Sequence, residues 1–401
     1  MRILFITPYV PSLIRVRPFN LVRQLTRLGH EVTVLTLESS AQEREQVEQL
    51  ARYCHQAKAV HLAKLRSVWN CLCALPTLTP LQAAYCFSPA MDALIQHELS
   101  TREFDIVHVE HLRAAHFGKV VDKVPKVYDA VDSISLLQKR TLQHGLFINR
   151  FLAYEELSKT RRYEAEIINA YDHALISSEV DRQAFLSLRS DLKISLLPNG
   201  VDLDYFGQDG LCEESDTLIF TGKMSYHANA AAISYFVRDV LPRIRAKKPS
   251  VRLQIVGSSP PELVRTLASD GSITVTGFVP DMRPYFAKAT VAVCPMLVKV
   301  GISNKILEAM AMKVPVVSTG LGCEGLDVIP EENILVGDSP AEFASQVVRL
   351  LQHKGLRCRI ALAGRAHVEK NHDWKMVGKR LQGIYRQVLE ESNHDGENAY
   401  S

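Results

Sequence analysis

The feature that most constrains this chain is the alternation of short apolar runs with longer amphipathic stretches along almost its whole length. This alternation is typical of βαβ units, in which parallel strands are buried and helices form the crossover connections. The first runs predict strands at 3–6 and 31–35 around a helix at 19–28, and Gly29 supplies the usual helix end. The sequence therefore predicts an α/β protein built on parallel sheets.

Two series of such units follow one another, separated by a turn sequence, Pro-Asn-Gly-Val-Asp, at 198–202. The first series also contains a long charged helix at 150–170, whose charges we interpret as a solvated face. Further strands are expected in the first series at 106–109, 126–128, 173–176 and 194–197. Those of the second lie at 217–220, 252–256, 273–275, 291–294, 314–317 and 334–336, with helices at 228–246, 260–268, 303–312, 340–352 and 356–370.

The fold class that follows is two Rossmann-like doubly wound domains, which we expect to face each other across a cleft. The predicted bounds are 1–198 for the N-terminal domain and 199–374 for the C-terminal domain. A final helix at 375–392 is expected to return to the first domain, and the polar tail at 393–401 is expected to be disordered.

Composition narrows the class of protein. The formal charge of +3 over 401 residues gives no footprint for nucleic-acid binding. The eight cysteines are scattered without metal-ligand or redox spacing, which favours a reduced, intracellular protein. The N-terminus lacks the long apolar region of a signal peptide, and no run of about 20 apolar residues is present. We therefore expect a cytoplasmic protein.

One segment, residues 67–90, contains no charged residue at all and is interrupted by three prolines. It has two interpretations, a buried or clamped surface segment or a peripheral contact with the inner face of the membrane or a lipid acceptor. Three basic residues flank it on the N-terminal side, Lys58, Lys64 and Arg66.

Two nucleotide-binding classes lack their motifs. The first strand runs into Thr-Pro-Tyr-Val-Pro at 7–11 rather than a G-x-G-x-x-G turn, so a nicotinamide or flavin site is not supported. No phosphate-loop motif is present. Asp202 and Asp204 have the spacing of a metal-binding Asp-x-Asp, but their place in a turn favours a structural role, and we expect no metal.

The strongest candidate site is the segment Gly-Ile-Ser-Asn-Lys-Ile-Leu-Glu at 301–308. Ser303 or Asn304 can cap a helix whose free amides and dipole form an anion site. Lys305 in the first turn is favourable only beside a bound anion, for which a diphosphate is the natural choice. Glu308, one turn further, is placed to accept hydrogen bonds from ribose hydroxyls. The alternative is a capped core helix without a ligand.

At this point the sequence resembles a family. The motif Lys-Ile-Leu-Glu-Ala-Met-Ala-Met-Lys-Val-Pro-Val-Val-Ser-Thr at 305–319 is similar to the donor-site signature of retaining family-4 glycosyltransferases with the GT-B fold, and four other segments agree: 198–202, 220–224, 255–257 and 276–281. The resemblance is closest to the branch that makes bacterial exopolysaccharide or surface glycans. It implies a metal-independent hexosyltransferase without a cofactor, using a UDP- or GDP-linked sugar and a glycan or lipid-linked acceptor.

The resemblance also implies roles for individual residues. Gly222 and Lys223 match the basic loop after the first strand of the donor domain, where Lys223 would stabilise the leaving diphosphate. Glu308 matches the second glutamate of the family's Glu-x7-Glu pair. The other residues implied at the donor site are Gly257, Phe278, Val279, Pro280, Ser303, Asn304 and Lys305.

Two positions depart from the family pattern. Val300 stands where the first glutamate of the pair, which touches the donor sugar, is expected. Asn229 stands where a second basic residue is expected. Phosphate binding would then depend on Lys223, Lys305 and the helix amides.

In the N-terminal domain the resemblance implies an acid or a histidine near the donor sugar. Asp129, at the end of the fifth strand, is the first candidate for this catalytic role, and His111 is the second. Arg15 and Arg17 replace the usual glycine-rich loop after the first strand, and with Asp132 they are candidates for phosphate or acceptor contacts. For the arginines, pairing on the surface is the alternative.

Two other functions remain open from the sequence. A nucleotide-sugar epimerase of the same fold would change the sugar without an acceptor. A non-catalytic scaffold that binds nucleotide sugar is also consistent with Val300.

Overall fold

The computed structural model describes residues 1–143, 150–207, 214–298 and 301–398. It divides into two compact units. Unit 1 comprises Met1–Pro198 and the chain from Trp374 onwards, and unit 2 comprises Asn199–Asp373. Each is built on one parallel sheet with flanking helices, so the predicted pair of Rossmann-like domains is confirmed.

In the part of the chain that the structure describes, unit 1 holds a seven-stranded sheet in the order β3-β2-β1-β4-β5-β6-β7. Its strands are β1 Arg2–Thr7, β2 Glu31–Glu38, β3 Gln56–His61, β4 Ile106–Glu110, β5 Lys126–Val131, β6 His173–Ile176 and β7 Ile194–Leu196. Its helices are α1 Val16–Arg27, α2 Ala41–Leu50, α3 Lys64–Ala74, α4 Leu81–Tyr85, α5 Pro89–Thr101, α6 Ile134–Gln143, α7 Arg150–Ile167 and α8 Glu179–Leu188, with short 3-10 segments at Ala115–Val120 and Ile168–Ala170.

Unit 2 holds a six-stranded sheet over its described residues, in the order β10-β9-β8-β11-β12-β13. The strands are β8 Thr217–Thr221, β9 Arg252–Val256, β10 Ile273–Gly277, β11 Val291–Cys294, β12 Val316–Ser318 and β13 Leu335–Val336. The helices are α9 His227–Tyr235, α10 Leu241–Arg245, α11 Glu262–Arg265, α12 Arg283–Lys288, α13 Asn304–Ala311, α14 Gly320–Cys323, α15 Pro340–Gln352 and α16 Lys354–Asn371. The last helix of the chain, α17 Trp374–Asn398, belongs to unit 1.

How deeply a strand is buried determines whether it can be recognised from the sequence. All five residues of β8 are buried, and an interior parallel strand of this kind is a continuous apolar run. The edge strand β3 is only half-buried, and its sequence, Gln-Ala-Lys-Ala-Val-His, reads as polar. The sequence analysis therefore missed β3.

The predicted helix at 228–246 is interrupted. The structure has α9, a π-helical turn at Phe236–Val240 and then α10, with Pro242 in the first turn of α10. Proline has no backbone N–H and blocks the regular hydrogen-bond ladder, which accounts for the break.

The C-terminal segment also differs from prediction. Trp374, placed by the sequence at the end of the second domain, is 1 % exposed in a core cluster of unit 1. The tail expected to be disordered from 393 continues as helix to Asn398, and residues 399–401 lie outside the described residues. An apolar stripe on α17 packs against α1 and explains the association, with Val377, Leu381, Tyr385 and Val388 opposite Phe19, Val22 and Leu25.

One charged residue of α7, Glu164, is buried instead of lying on the solvated face that the sequence predicts. The Glu164 side chain is fully buried, and its carboxylate accepts hydrogen bonds from the backbone amides of Ile134 at 2.7 Å and Ser135 at 3.2 Å. These amides begin α6, so Glu164 caps a neighbouring helix through a long-range contact.

Both sheets reverse their strand order, between β1 and β4 in unit 1 and between β8 and β11 in unit 2. In open α/β sheets, ligands bind beyond the carboxyl ends of the strands at such switch points. The fold therefore directs attention to the loops that follow these four strands.

Candidate functional site

The loops after β8 and β9 pack backbone against backbone. A side chain at Gly257, whose φ is +153°, would overlap the carbonyl oxygen of Gly222. Gly222 has a φ of +147°, which non-glycine residues rarely adopt. These glycines let the chain pass close to the strand ends at the switch point, and donor binding by them stays a prediction.

A polar network joins the loop after β8 to α13. Lys305 Nζ donates to Asn229 Oδ1 at 2.7 Å, and Asn229 Nδ2 donates to the backbone oxygen of Lys223 at 3.0 Å. Asn229 thus supplies no charge but fixes the Lys305 ammonium, which also lies 5.2 Å from the centre of the Phe220 ring. The Lys223 side chain is exposed. Among the described residues, neither ammonium has a carboxylate within ion-pair distance.

No described side chain caps the N-terminus of α13. Ser303 is the N-cap residue, but its hydroxyl accepts no first-turn amide, so the predicted side-chain cap is wrong for Ser303. The Asn304 side chain instead accepts a hydrogen bond from Asn199 Nδ2 at 3.4 Å. The positive end of the helix dipole therefore has no capping side chain among the described residues, and the Lys305 ammonium lies in the same first turn.

Glu308 lies one turn into α13 and is partly exposed. Burial raises its pKa to about 7, and the positive charge of Lys305 opposes this shift. No described residue forms a hydrogen bond or ion pair with its carboxylate. An unpartnered carboxylate of this kind can accept hydrogen bonds from ligand hydroxyls.

Two segments predicted at the donor site remain, the loop at 278–280 and the start of the segment before α13. Phe278, after β10, is 77 % exposed, and Val279 and Pro280 are partly exposed and exposed. An exposed ring can stack on a nucleobase. Gly301 follows with a φ of +63°, whereas Val300 lies outside the described residues.

At the strand ends of unit 1, Arg17 and Asp129 form a buried ion pair. Arg17 Nε and Nη2 donate to the two Asp129 carboxylate oxygens, each at 3.0 Å, and Nη2 also donates to the Leu197 carbonyl at 3.0 Å. Arg17 is 6 % exposed and Asp129 is 0 % exposed. The alternative that Arg17 pairs on the surface is therefore wrong. The structure gives Asp129 a positioning contact, and its proposed catalytic role stays a prediction.

A row of buried side chains extends from this ion pair. The His108 ring stacks on Phe5 with centroids 4.2 Å apart, and its Nε2 lies 3.8 Å from Asp129 Oδ2. His108 Nδ1 lies 2.8 Å from the Tyr385 hydroxyl of α17. Burial lowers the pKa of His108 to about 3, so the ring is neutral near pH 7. The final helix thus contacts the groups behind the strand ends.

The other candidates in unit 1 are nearer the surface. His111 has a φ of +73°, and its Nδ1 accepts the Arg113 amide at 3.2 Å, which leaves Nε2 as the protonated nitrogen. Burial lowers the His111 pKa to about 3, with help from Arg113 and Arg15. The exposed Arg15 guanidinium lies 4.2 Å from the centre of the Tyr9 ring. Asp132 accepts the Ser177 hydroxyl at 3.0 Å.

Glu110 is a candidate that sequence reasoning missed. It ends β4 at the switch point, is 5 % exposed, and has a buried Oε2 without a hydrogen-bond partner among the described residues. Burial, together with the charge of Asp129, raises its pKa to about 8. A charged residue that ends an apolar strand was the available signal, in the run Ile-Val-His-Val-Glu.

A cavity of about 200 Å³ opens at this end of unit 1, lined in part by Tyr9, Arg15 and Arg113. Both charge signs line it, which suits a hydroxyl-rich ligand with many hydrogen-bonding groups. Its polar lining includes Tyr9, Arg15, Glu38, Glu43, Lys64 and Arg113.

The described part of the chain holds neither a metal-binding cluster nor a helix that could span a membrane. No group of three or more His, Cys, Asp or Glu side chains is placed to hold a metal ion there. Asp202 Oδ1 accepts the amides of Asp204 and Tyr205, both at 3.2 Å, as in a turn. None of the described helices combines the length and apolar character needed to cross a membrane.

Comparison with known proteins gives matches in both units. The family model described as "Glycosyltransferase Family 4" matches residues 16–205, and that described as "Glycosyl transferases group 1" matches residues 215–353. Together they cover most of the chain.

Two curated relatives match over part of their length. A GDP-mannose-dependent monoacylated alpha-(1-6)-phosphatidylinositol monomannoside mannosyltransferase from Corynebacterium glutamicum is 31 % identical over 208 residues, or 47 % of this chain and 55 % of that protein. The putative glycosyltransferase YtcC of Bacillus subtilis is 29 % identical over 197 residues, or 45 % of this chain and 47 % of that protein. The chain thus spans about half the length of the curated relatives it matches.

Solved structures match over nearly the whole chain. Sucrose-phosphate synthase from Thermosynechococcus elongatus superposes with a TM-score of 0.73 at 17 % identity, covering 98 % of this chain and 100 % of that one. Anabaena HepE in complex with UDP and glucose superposes with a TM-score of 0.66 at 15 % identity, covering 96 % and 99 %. At these identities the likeness shows the fold alone.

Proposed function

The chain belongs to glycosyltransferase family 4 and has the GT-B fold, and on that premise we propose that it transfers a hexose-type sugar from a nucleotide-diphosphate sugar to a glycan or lipid-linked acceptor. One observation carries the proposal. At the β8/β11 switch point, the Lys305 ammonium lies in the first turn of a helix whose N-terminus has no side-chain cap among the described residues, near the unpartnered carboxylate of Glu308. Asn229 joins the backbone of the exposed Lys223 to the same network. A diphosphate and a ribose together supply the charges and hydroxyls that these groups lack.

Each donor residue has a proposed task. Lys305 and the α13 amides bind the diphosphate in the ground state, and Lys223 neutralises the charge that grows on it as the glycosidic bond breaks. Glu308 accepts the ribose hydroxyls, and Phe278 and its neighbours hold the nucleobase. Asn229 keeps Lys305 in place without adding charge.

We propose that transfer retains the configuration at the sugar carbon. The bond from that carbon to the departing diphosphate oxygen breaks, and a bond to the acceptor oxygen forms on the same face. The acceptor proton passes to the departing diphosphate, so the reaction needs neither a metal nor a strong protein base. Family membership is the support for this route.

We also propose which nucleotide the donor carries, where the acceptor binds and where in the cell the protein acts. A UDP or GDP donor is supported by the relatives, since one is named as GDP-mannose-dependent and HepE is in complex with UDP and glucose. The acceptor would bind unit 1, where the cavity lined by Arg15 and Glu38 offers both charge signs. We place the protein in bacterial surface-glycan synthesis, in the cytoplasm at the inner face of the membrane.

The first test is a thermal-shift panel with UDP, GDP, ADP, CMP and NAD. A ligand that binds only the native state raises its apparent stability, so we expect a shift with one nucleoside diphosphate. Turnover of the corresponding nucleotide sugars is then measured, and EDTA should leave the rate unchanged.

Two variants locate the site. Lys223→Ala should lower turnover by about 100-fold or more, and Glu308→Ala should abolish both the shift and turnover. The matched controls are the exposed residues Lys247 and Glu262 of unit 2, whose alanine variants should behave as wild type. A nucleotide shift without consumption of donor would instead support the scaffold, and a change of sugar without acceptor would support the epimerase.

A further inference from the structure

We propose that unit 1 docks onto an anionic phospholipid bilayer through one exposed surface. This surface, called here the α3 face, consists of Leu65, Val68, Trp69, Leu72, Leu75 and Leu78. The choice of a lipid surface as the partner rests in part on the proposed lipid-linked acceptor.

The α3 face exposes large apolar side chains together. Leu65 is 84 % exposed, Trp69 58 % and Leu78 61 %. Single exposed apolar residues are common on soluble proteins, but a contiguous apolar patch marks an interaction site. This segment therefore presents these apolar residues outward. Of the buried or clamped surface segment interpreted for 67–90, the buried form does not hold for these residues, and the clamped surface form does.

The α3 face belongs to a well-anchored element. The opposite side of α3 is buried through Ser67, Asn70 and Ala74, and Asn70 Nδ2 donates to the Phe87 carbonyl at 2.9 Å. The Leu75 carbonyl accepts Lys159 Nζ of α7 at 2.8 Å. An amphipathic helix fixed in this way can lie in the plane of a membrane interface with its apolar side inward.

A groove of about 570 Å³ adjoins the α3 face. Trp69 and Phe87 contribute to its walls, and both His116 ring nitrogens are buried without a hydrogen-bond partner among the described residues. Burial lowers the His116 pKa to about 4, so this side chain adds no charge near pH 7. The groove provides space for part of a lipid next to the apolar surface.

The charges around the α3 face favour an anionic partner. Arg66 and Lys119, both exposed, rim the groove, and no described carboxylate forms an ion pair with either. Lys58, counted as a flanking cation from the sequence, instead pairs with Glu98 at 2.6 Å. Of the nearby acids, Glu155 lies 3.8 Å from Lys159, and burial raises the pKa of Asp92. Exposed Lys and Arg near an apolar face attract anionic lipid headgroups.

The same helix also reaches the cavity at the strand ends. Lys64 and Ser67 of α3 line that cavity together with Tyr9 and Arg15. A membrane contact on the outer side of α3 would therefore hold the polar head of a lipid-linked acceptor one helix away from the cavity. This relation favours a bilayer over a protein partner on the α3 face.

Tryptophan fluorescence tests the proposal directly, because the chain has two tryptophans and only one is exposed. Trp374 is 1 % exposed, so a change on adding vesicles reports Trp69. With vesicles of phosphatidylcholine containing phosphatidylglycerol, we expect a blue shift and co-sedimentation of the protein. Pure phosphatidylcholine vesicles should give a weaker response.

Variants assign the contact to the α3 face. Leu72→Glu should lower vesicle partitioning by about tenfold or more, because a charged side chain replaces an exposed apolar one that would enter the bilayer. Leu263→Glu, at a residue of unit 2 that is 62 % exposed, is the matched control and should bind as wild type. Arg66→Gln with Lys119→Gln should remove most of the preference for anionic vesicles. Tryptophan emission without vesicles verifies that each unit 1 variant is folded.

Several results would overturn the proposal. They are the absence of a blue shift and of sedimentation, or equal binding by Leu72→Glu and wild type. Binding of the α3 face to another protein but not to vesicles would also overturn it. The nucleotide panel is independent of these measurements, since its site lies in unit 2. Vesicle binding without donor turnover would therefore leave the docking surface standing and reject the proposed enzyme.

Discussion

The two units place polar groups at their strand ends in opposite ways. In unit 2, Lys223 and Glu308 have no charged partner among the described residues within ion-pair distance, and Lys305 is held by a neutral amide. In unit 1, Arg17 and Asp129 satisfy each other in a buried bidentate pair. Unit 2 thus leaves these charged groups without charged partners among the described residues, whereas unit 1 uses its charged pair to hold its own strand ends.

The backbone supports the same contrast. In unit 2 the unusual φ angles at the strand ends of β8 and β9 fall on Gly222 and Gly257, where they cost little. In unit 1 they fall on His111 at +73° and on Val131 at +68°, where a β-branched residue is strained. Val131 lies two residues after Asp129, and its amide donates to Asp129 Oδ1 at 3.2 Å. Buried contacts therefore maintain a strained geometry in unit 1.

The largest expected effect that tests this contrast comes from Arg17→Met. It leaves the Asp129 charge buried and unpaired, so the free energy of unfolding of unit 1 should fall by about 3–5 kcal/mol. Urea unfolding followed by tryptophan fluorescence measures it, because Trp69 and Trp374 both belong to unit 1. Arg15→Met, at an exposed position, is the control and should cost less than about 1 kcal/mol. Equal small losses in both variants would show that the pair does not hold unit 1 together.

The second test concerns Glu110, a buried acid of unit 1 with one unpartnered carboxylate oxygen among the described residues. The Glu110 pKa is raised to about 8 from an ordinary value of 4.5, so the folded state keeps a proton that the unfolded state releases. Its contribution to stability is complete below the ordinary pKa and is lost as the pH rises through about 8. Between these limits unit 1 should lose on the order of a few kcal/mol of unfolding free energy.

The Glu110→Gln variant checks this assignment. It should flatten the pH dependence of unit 1 unfolding, measured by urea titration at several pH values. Glu103→Gln, whose side chain is 85 % exposed, should retain the wild-type slope. A Glu110→Gln variant with the full slope would move the titration to another buried group.

The smallest expected effect concerns the ligand site of unit 2. The Glu308 pKa is raised to about 7, and only the ionised carboxylate accepts two ribose hydroxyls. Nucleotide affinity should therefore fall by roughly tenfold from pH 8 to pH 6, because most of the carboxyl is then protonated. Isothermal titration calorimetry with the nucleotide from the panel measures this change. Glu308→Gln should bind weakly with no such dependence, and an unchanged slope would remove Glu308 from the ribose site.

The extent of prediction differed between the two units for a physical reason. The segment proposed to bind the donor in unit 2 is continuous, since a loop, a helix start and a glutamate one turn later all lie within 301–308. Local sequence rules were therefore enough to propose it, and Lys299 and Val300 lie outside the described residues. The strand ends of unit 1 combine residues far apart in the chain, such as Arg17, Asp129 and Tyr385, and no local pattern pairs them.

The sequence by itself determined the parallel α/β class, the division near residue 198 and the family. Buried strands and helix caps are local patterns, and they survive in the order of the residues. Only the tertiary structure decided that Arg17 meets Asp129, that Glu164 caps α6 and that the α3 face is exposed. These outcomes depend on which elements pack together, because packing sets both the burial of a charge and the partner that stabilises it.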